Sequence, residues 1–330
     1  MSGDGPLVGI VGCGVTGGQV ATLLRDASPD VGLIVHDRQP ATARRLASFV
    51  GGLATEQIAD LAAADVVACC HPSPHLDLVE QLVDAGVTVV STSDDPHDVI
   101  DLLSLPSRGP LVVGVGMAPG LSGLLARSLA GQLAVLDELH VAVSGTGGPA
   151  CARRHHRALG DAALGWADGE WIERPGGSGR ELCWFPEPLG PHDCYRAAHA
   201  DPVVLHLAFP AVQRVTLKVS ATRRDRLTAR LPMLRPPHVG GNTGGVRVEA
   251  RGALADGARW TAIAGAAGRV ADLAAAVCAG TVEACLDGQV GPGTHILGGV
   301  ALDGAGILAR AVAHGVTIQE FTGVARPSTW

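Results

Sequence analysis

No run of five or six like charges occurs in the 330 residues, and the formal charge of −7 is mild. Neither a nucleic-acid groove nor an anionic membrane surface is therefore expected as a partner. Long apolar stretches are missing too. Val270 to Ala279 stops well short of the ~20 residues that a membrane span needs, and it carries Asp272. Met1 to Pro6 holds no basic segment, and the apolar stretch that follows, Leu7 to Val11, soon gives way to glycines. The expectation is a soluble, cytoplasmic chain without an export signal. The eight cysteines (Cys13, Cys69, Cys70, Cys151, Cys183, Cys194, Cys278 and Cys285) form no CxxC and no Cys/His pair at zinc spacing. They read as reduced, mostly buried small hydrophobes, with no metal expected. Aromatics make up only 3% of the chain, and Tyr195 is its only tyrosine.

What is present points to a well-buried α/β protein: hydrophobic residues reach 47%, charged residues 17%, and 45 residues are glycine. The length suits two domains. Through the first hundred residues short apolar strands alternate with segments of helical period, the order that builds a parallel sheet covered by helices. Strands are expected at Leu7–Val11, Val31–His36, Ala64–Cys70, Val87–Ser91 and Leu111–Val115. Helices are expected at Val15–Arg25, Ala41–Val50, Leu76–Ala85 and Leu121–Leu129. From Leu139 the texture changes. Leu139–Val143 alternates like a half-buried strand, and a polar, Gly- and Arg-rich stretch then runs to about residue 200. Val212–Ser220 and a hairpin over Gly245–Ala264, turning at Asp256-Gly257, supply further strands. Two helices (Asp272–Leu286, Gly304–His314) and a strand (Val316–Phe321) close the chain. The reading is a doubly wound parallel sheet over residues 1–130 and an α+β domain with a mixed, open sheet over 131–295, the segment from about 295 to 330 packing back on the first domain.

Between the first strand and the first helix stand Gly12-Cys13-Gly14-Val15-Thr16-Gly17, a G-x-G-x-x-G in the context that gives it meaning. Gly12 suits a tight turn, Gly14 lets backbone approach a diphosphate, and Gly17 lets helix and strand pack closely. Twenty residues beyond Gly17, at the tip of the second strand, Asp37 is placed to accept the ribose hydroxyls of a nicotinamide dinucleotide. Its charge favours NAD over NADP, although the neighbouring Arg38 could pair with a 2′-phosphate. Ligands of such sheets collect at the carboxyl ends of strands. His71, Pro72, Ser91 and Met117, in the loops after three further strands, are accordingly cofactor-contact candidates, with helix capping as the alternative.

With this fingerprint go the loop Cys70-His71-Pro72-Ser73-Pro74, the strand entry Gly86-Val87-Thr88-Val89-Val90-Ser91, and Gly116-Met117-Ala118-Pro119-Gly120-Leu121-Ser122, which looks like a G-x-x-P-G turn leading into a long helix. Over its first ~130 residues the sequence resembles the saccharopine dehydrogenase-like reductases, including the carboxynorspermidine dehydrogenase branch. The resemblance implies a Rossmann domain, a mixed sheet carrying substrate, and hydride transfer at the carbon of an imine or amine. Gly147 to Asp201 departs from that pattern.

Hydride chemistry belongs to the cofactor, so the protein must position substrate and anchor its carboxylates. The departing segment offers Arg153-Arg154-His155-His156-Arg157, Arg180 and Tyr195-Arg196. Arg180 and Arg196 are candidate carboxylate anchors for an amino-acid-like small molecule. His155 and His156 are candidate acid–base groups, and Tyr195 is a candidate hydrogen-bond donor. A solvated basic helix, with Arg154 and Arg157 outward, and a packed tyrosine are the plainer alternatives. Trp184-Phe185-Pro186 suits packing or a homodimer patch. A dehydrogenase of hydroxy or keto compounds would want a conspicuous lysine or Tyr-x-x-x-Lys. Lysine is scarce, Lys218 standing in a strand, and Ser91-Thr92-Ser93 occupies the place where sugar-oxidising enzymes usually carry Glu-Lys-Pro. A regulator that binds the dinucleotide without turnover is a further alternative.

Overall fold

The computed structural model describes residues 5–106, 109–233 and 236–321. The chain opens with β1 (Leu7–Val11), α1 (Val15–Ala27), β2 (Gly32–His36), α2 (Pro40–Val50), β3 (Leu53–Thr55), β4 (Val66–Cys69), α3 (Leu76–Asp84), β5 (Thr88–Ser91), α4 (Pro96–Leu103), β6 (Pro110–Val113) and α5 (Leu121–Ala130). The strands of this half pair in parallel, in the order β6-β5-β4-β1-β2-β3. Strands buried on both faces need unbroken apolar runs, and Val66–Cys69 is buried at every position. Side chains of the two sheet faces feed separate clusters, with Ile10, Val35, Ala68 and Val90 on one side and Val11, Val67, Val89 and Val113 on the other.

The second half continues with β7 (Val135–Ser144), α6 (Pro149–Ala158), β8 (Ala162–Ala167), β9 (Glu170–Pro175), β10 (Glu181–Phe185), β11 (Gly190–Arg196), α7 (Asp201–Ala208), β12 (Arg214–Ser220), α8 (Arg223–Thr228), β13 (Thr243–Ala253), β14 (Arg259–Arg269), α9 (Val270–Leu286), β15 (Gly293–Ile296), α10 (Gly304–Ala313) and β16 (Ile318–Glu320). Nine of these strands make a mixed sheet. Its path is β10-β11-β12-β7-β13-β14-β16, β7 and β12 run parallel, and a β8–β9 ribbon hangs on β12. The β13–β14 hairpin turns at Asp256-Gly257, where Gly257 has φ +84°. Both the doubly wound sheet and the mixed sheet expected from sequence are present.

Three features differ from the sequence reading. The stretch from 145 to 200, where the sequence offers only a solvated basic helix as an alternative, supplies a helix there, α6, and four strands, β8 to β11. The mixed sheet is not open over the whole of its second face, because Cys183, Phe185 and Cys194 from the β10–β11 hairpin close on Ala142. Finally, β15 adds to the first sheet, parallel to β6, while β16 pairs with β14 in the second, so the two sheets share the C-terminal segment.

Candidate functional site

The turn from β1 into α1 is pinned from both neighbouring strands. The Gly12 amide donates to the His36 carbonyl at 2.9 Å, and the Cys70 amide donates to the Val11 carbonyl at 2.7 Å. Gly12 sits at φ +93°, and a Cβ there would lie 2.5 Å from the His71 nitrogen. A Cβ on Gly17 would lie 1.9 Å from the Gly12 carbonyl oxygen, so only glycine lets the helix meet the turn this closely. Gly14 is the opposite case: a Cβ there would meet nothing within 4 Å. It is the N-cap of α1 without any side-chain cap, leaving the first helical amides to an outside acceptor. This open cradle on bare backbone is the shape that a diphosphate fits. Cys13, Val15 and Thr16 complete the turn, and burial with the nearby Asp37 charge pushes the Cys13 thiol up to about 12.

Asp37 stands beside that cradle. Its Oδ2 accepts from the Cys13 amide and its Oδ1 from the Gln39 amide, both at 2.8 Å. A carboxylate has about four acceptor sites, so roughly two remain for a diol. Arg38 is exposed next to it.

The other expected contacts lie in the loops beyond β4, β5 and β6. His71 presses its backbone on Gly12, its Nδ1 lies 2.9 Å from the Pro72 carbonyl, and Pro72 is exposed. Ser91 is fully buried, with its hydroxyl 2.9 Å from His75 Nδ1. His75, which no sequence expectation singled out, donates from Nε2 to the His71 carbonyl at 2.7 Å, and burial lowers its pKa to about 4. Met117 is buried within a turn closed by the Gly116 amide on the Pro119 carbonyl.

The basic segment does not gather into one pocket. His156 is buried with Nε2 directed to the Thr228 and Leu231 carbonyls at 3.0 and 3.1 Å. Tyr195 is buried on β11 under the Arg226 guanidinium, 4.0 Å from the ring centre. Arg180 is exposed and paired with Asp193 at 3.0 Å. Arg196 bonds the Ser178 hydroxyl at 3.3 Å. Arg154 does not face outward. It reaches the Asp94 and Ala198 carbonyls, each at 2.9 Å, and lies 3.3 Å from the Asp95 carboxylate, tying α6 to the loop after β5.

Around that tie a second cluster forms. His155 lies with Nε2 3.1 Å from the Ser220 carbonyl, and burial lowers its pKa, with the neighbouring His199 adding to the effect and Asp94 opposing it. His199 and Asp201 are buried 2.8 Å apart, without the alignment of a hydrogen bond. Ala200 packs in the same cluster as Cys69, Val89 and Val113 at the carboxyl ends of the parallel strands. The start of α6 also meets the cradle, since a Cβ on Gly148 would lie 3.3 Å from Val15. Of this group the sequence singles out His155 as an acid–base candidate and names Arg154 only within a basic run. Asp94, Arg154, His199 and Asp201 come from three segments far apart in the chain, and only the fold unites them.

No helix among the described residues is long and apolar enough to cross a membrane. No protein-family model matches the chain. Over 132 aligned residues it is 36% identical to the L-aspartate dehydrogenase of Methanothermobacter thermautotrophicus, covering 37% of this chain and 51% of that protein. The match thus spans about half the length of that relative. In three dimensions the chain superposes on saccharopine dehydrogenase (L-Glu forming) from Saccharomyces cerevisiae with a TM-score of 0.70 and 15% identity, covering 96% of this chain and 100% of that one. The chain has the fold of saccharopine dehydrogenase.

Proposed function

We propose that the protein is an NAD-dependent oxidoreductase acting at a carbon–nitrogen bond of an amino-acid-derived substrate. The observation that carries the reading is the Gly14 cradle, a glycine facing open space at an uncapped helix start with the Asp37 carboxylate beside it. Gly12, Gly14 and Gly17 would hold the diphosphate and Asp37 the adenosine ribose, and the negative charge of Asp37 disfavours a 2′-phosphate. A bound nicotinamide supplies the hydride chemistry. The protein's part is to orient substrate and to manage a proton at the reacting nitrogen. His155 and His199, neighbours beside the Asp94–Arg154 tie, are the imidazoles offered for that proton. The C–N assignment takes its support from the names of the two matches, L-aspartate dehydrogenase and saccharopine dehydrogenase (L-Glu forming). Arg180, Arg196, His156 and Tyr195 remain proposals for substrate contact, with weaker geometric support than the His155–His199 group.

We further place the working protein in the cytoplasm as a homodimer. The free cysteines suit a reducing compartment. The exposed Leu182 and Trp184 on edge strand β10 suit a second copy. The test is NADH consumption with a panel of 2-oxo acids plus ammonia or a primary amine, and NAD reduction with amino acids. Turnover of an amino-acid-derived compound is expected. Saturable NADH binding without turnover of any panel member would favour the dinucleotide-binding regulator instead.

A further inference from the structure

The loop after β4 carries chemistry beyond the cofactor contact expected of His71. We propose that Cys69, His71 and His75 form a binding site for one divalent cation of the zinc type. One potential ligand atom from each residue lies within 4.8 Å of the other two. The two imidazole rings face each other with centroids 4.1 Å apart and a 48° tilt.

The hydrogen bonds around the rings fix where the lone pairs are. A carbonyl only accepts, so the 2.9 Å contact of His71 Nδ1 with the Pro72 carbonyl puts the proton on Nδ1. Nε2 of His71 is then a bare lone pair, and it is buried with no hydrogen-bond partner. The same logic applies to His75, whose Nε2 donates to the His71 carbonyl at 2.7 Å, leaving the lone pair on Nδ1. That nitrogen is 2.9 Å from the buried Ser91 hydroxyl, the partner that a cation would displace. Each imidazole is thus oriented through one nitrogen by a backbone carbonyl while the other is left to ligate, which is the outer-shell arrangement of metal-bound histidines. The buried Asp98 carboxylate steadies the loop by accepting from the His75 amide at 2.8 Å.

The donor set selects the metal. One thiolate and two imidazoles suit Zn²⁺ or Co²⁺, whereas Mg²⁺ and Ca²⁺ want oxygen. On binding, the Cys69 thiol gives its proton to solvent and the sulfur bonds the cation. Three protein ligands leave a fourth tetrahedral position for water. The sequence reading missed the site because Cys69 closes a buried strand and His75 opens a helix, which disguises Cys-x-His-x-x-x-His as ordinary packing.

The test uses the full chain, treated with chelator and then freed of it, held under a thiol-free reductant and titrated with Co²⁺ in the absence of dinucleotide. Expected are one equivalent per chain, the absorption of a tetrahedral ion with a thiolate charge-transfer band, and displacement by Zn²⁺. His71→Ala, on a partly exposed loop, should weaken binding at least tenfold yet keep the band. Cys69→Ser should abolish the band, with circular dichroism reporting whether each variant is folded. Absence of stoichiometric binding by the unaltered chain, or an octahedral spectrum without the thiolate band, overturns the proposal. So does retention of full affinity in folded His71→Ala. Because the readout involves no dinucleotide, it stands apart from the test of the proposed activity.

Discussion

Gly14→Ala separates the cradle's role in binding from its role in folding. Gly14 has φ −76° and ψ −160°, open to any residue, and its added methyl meets nothing within 4 Å. The remaining cost is that of alanine at an N-cap, about 0.5–1 kcal/mol, or roughly 1 °C in melting temperature for a protein of this size. Binding should suffer far more. The methyl would hold a diphosphate off the helix amides, and losing one hydrogen bond to a charged group costs about 1.5–3 kcal/mol, a ten- to hundredfold loss of NADH affinity. Gly17→Ala supplies the contrast. Its methyl would lie 1.9 Å from the Gly12 carbonyl oxygen, so turn and helix must separate. Overpacking of that kind costs up to about 3 kcal/mol and should lower the melting temperature by several degrees. Thermal melting without ligand, paired with a fluorescence titration of NADH, reads both effects. A Gly14→Ala protein that binds NADH with undiminished affinity would show that no diphosphate passes over this turn.

Asp37→Ala should weaken NADH about tenfold while leaving NADPH unchanged or improved, because the variant loses ribose acceptors and a charge that repels phosphate; equal losses for both dinucleotides would disprove the ribose assignment. His199→Gln should lower kcat at least tenfold and leave the NADH Kd unaltered, and unchanged steady-state rates would remove His199 from proton transfer. Acid should destabilise the chelator-treated protein through its buried histidines. The His75 pKa falls from 6.5 to about 4 on folding, and that of His155 also falls. As pH drops below 6.5 the unfolded chain takes protons that the folded chain refuses, so the stability these groups contribute above that pH is progressively lost. From His75 alone the loss is about 2 kcal/mol at pH 5, and a urea midpoint equal at pH 7 and pH 5 would contradict it.

Much of the first sheet was legible because parallel strands covered on both faces must be apolar throughout. Leu7–Val11 and Val66–Cys69 announce themselves by composition, and the glycines of the turn after Leu7–Val11 have one structural use each. The edge strand β15 was not legible, since Gly293–Ile296 is only half-buried and joins β6 from some 180 residues away. Strand β9 is largely exposed and β8 half-buried, so no apolar alternation marks them. The cradle could be read from spacing because its parts are contiguous. The cluster of Asp94, Arg154, His155, His199 and Asp201 could not, because Asp94, His199 and Asp201 are unremarkable in their own segments and only the crossing of α6 over the β5 loop brings them to Arg154 and His155. The arginines of the 145–200 segment drew attention by density, yet density records a shared stretch of chain and not a shared direction. Arg180, Arg196 and Arg154 each find a different partner.

The central claim is that a dinucleotide rests on the turn from β1 to α1. A crystal structure of the protein grown with saturating NADH tests it most directly. The diphosphate should lie within hydrogen-bonding distance of the α1 amides, over Gly14, with the adenosine ribose on the Asp37 carboxylate. Density for NADH elsewhere, or a bare turn at saturating ligand, would contradict the account.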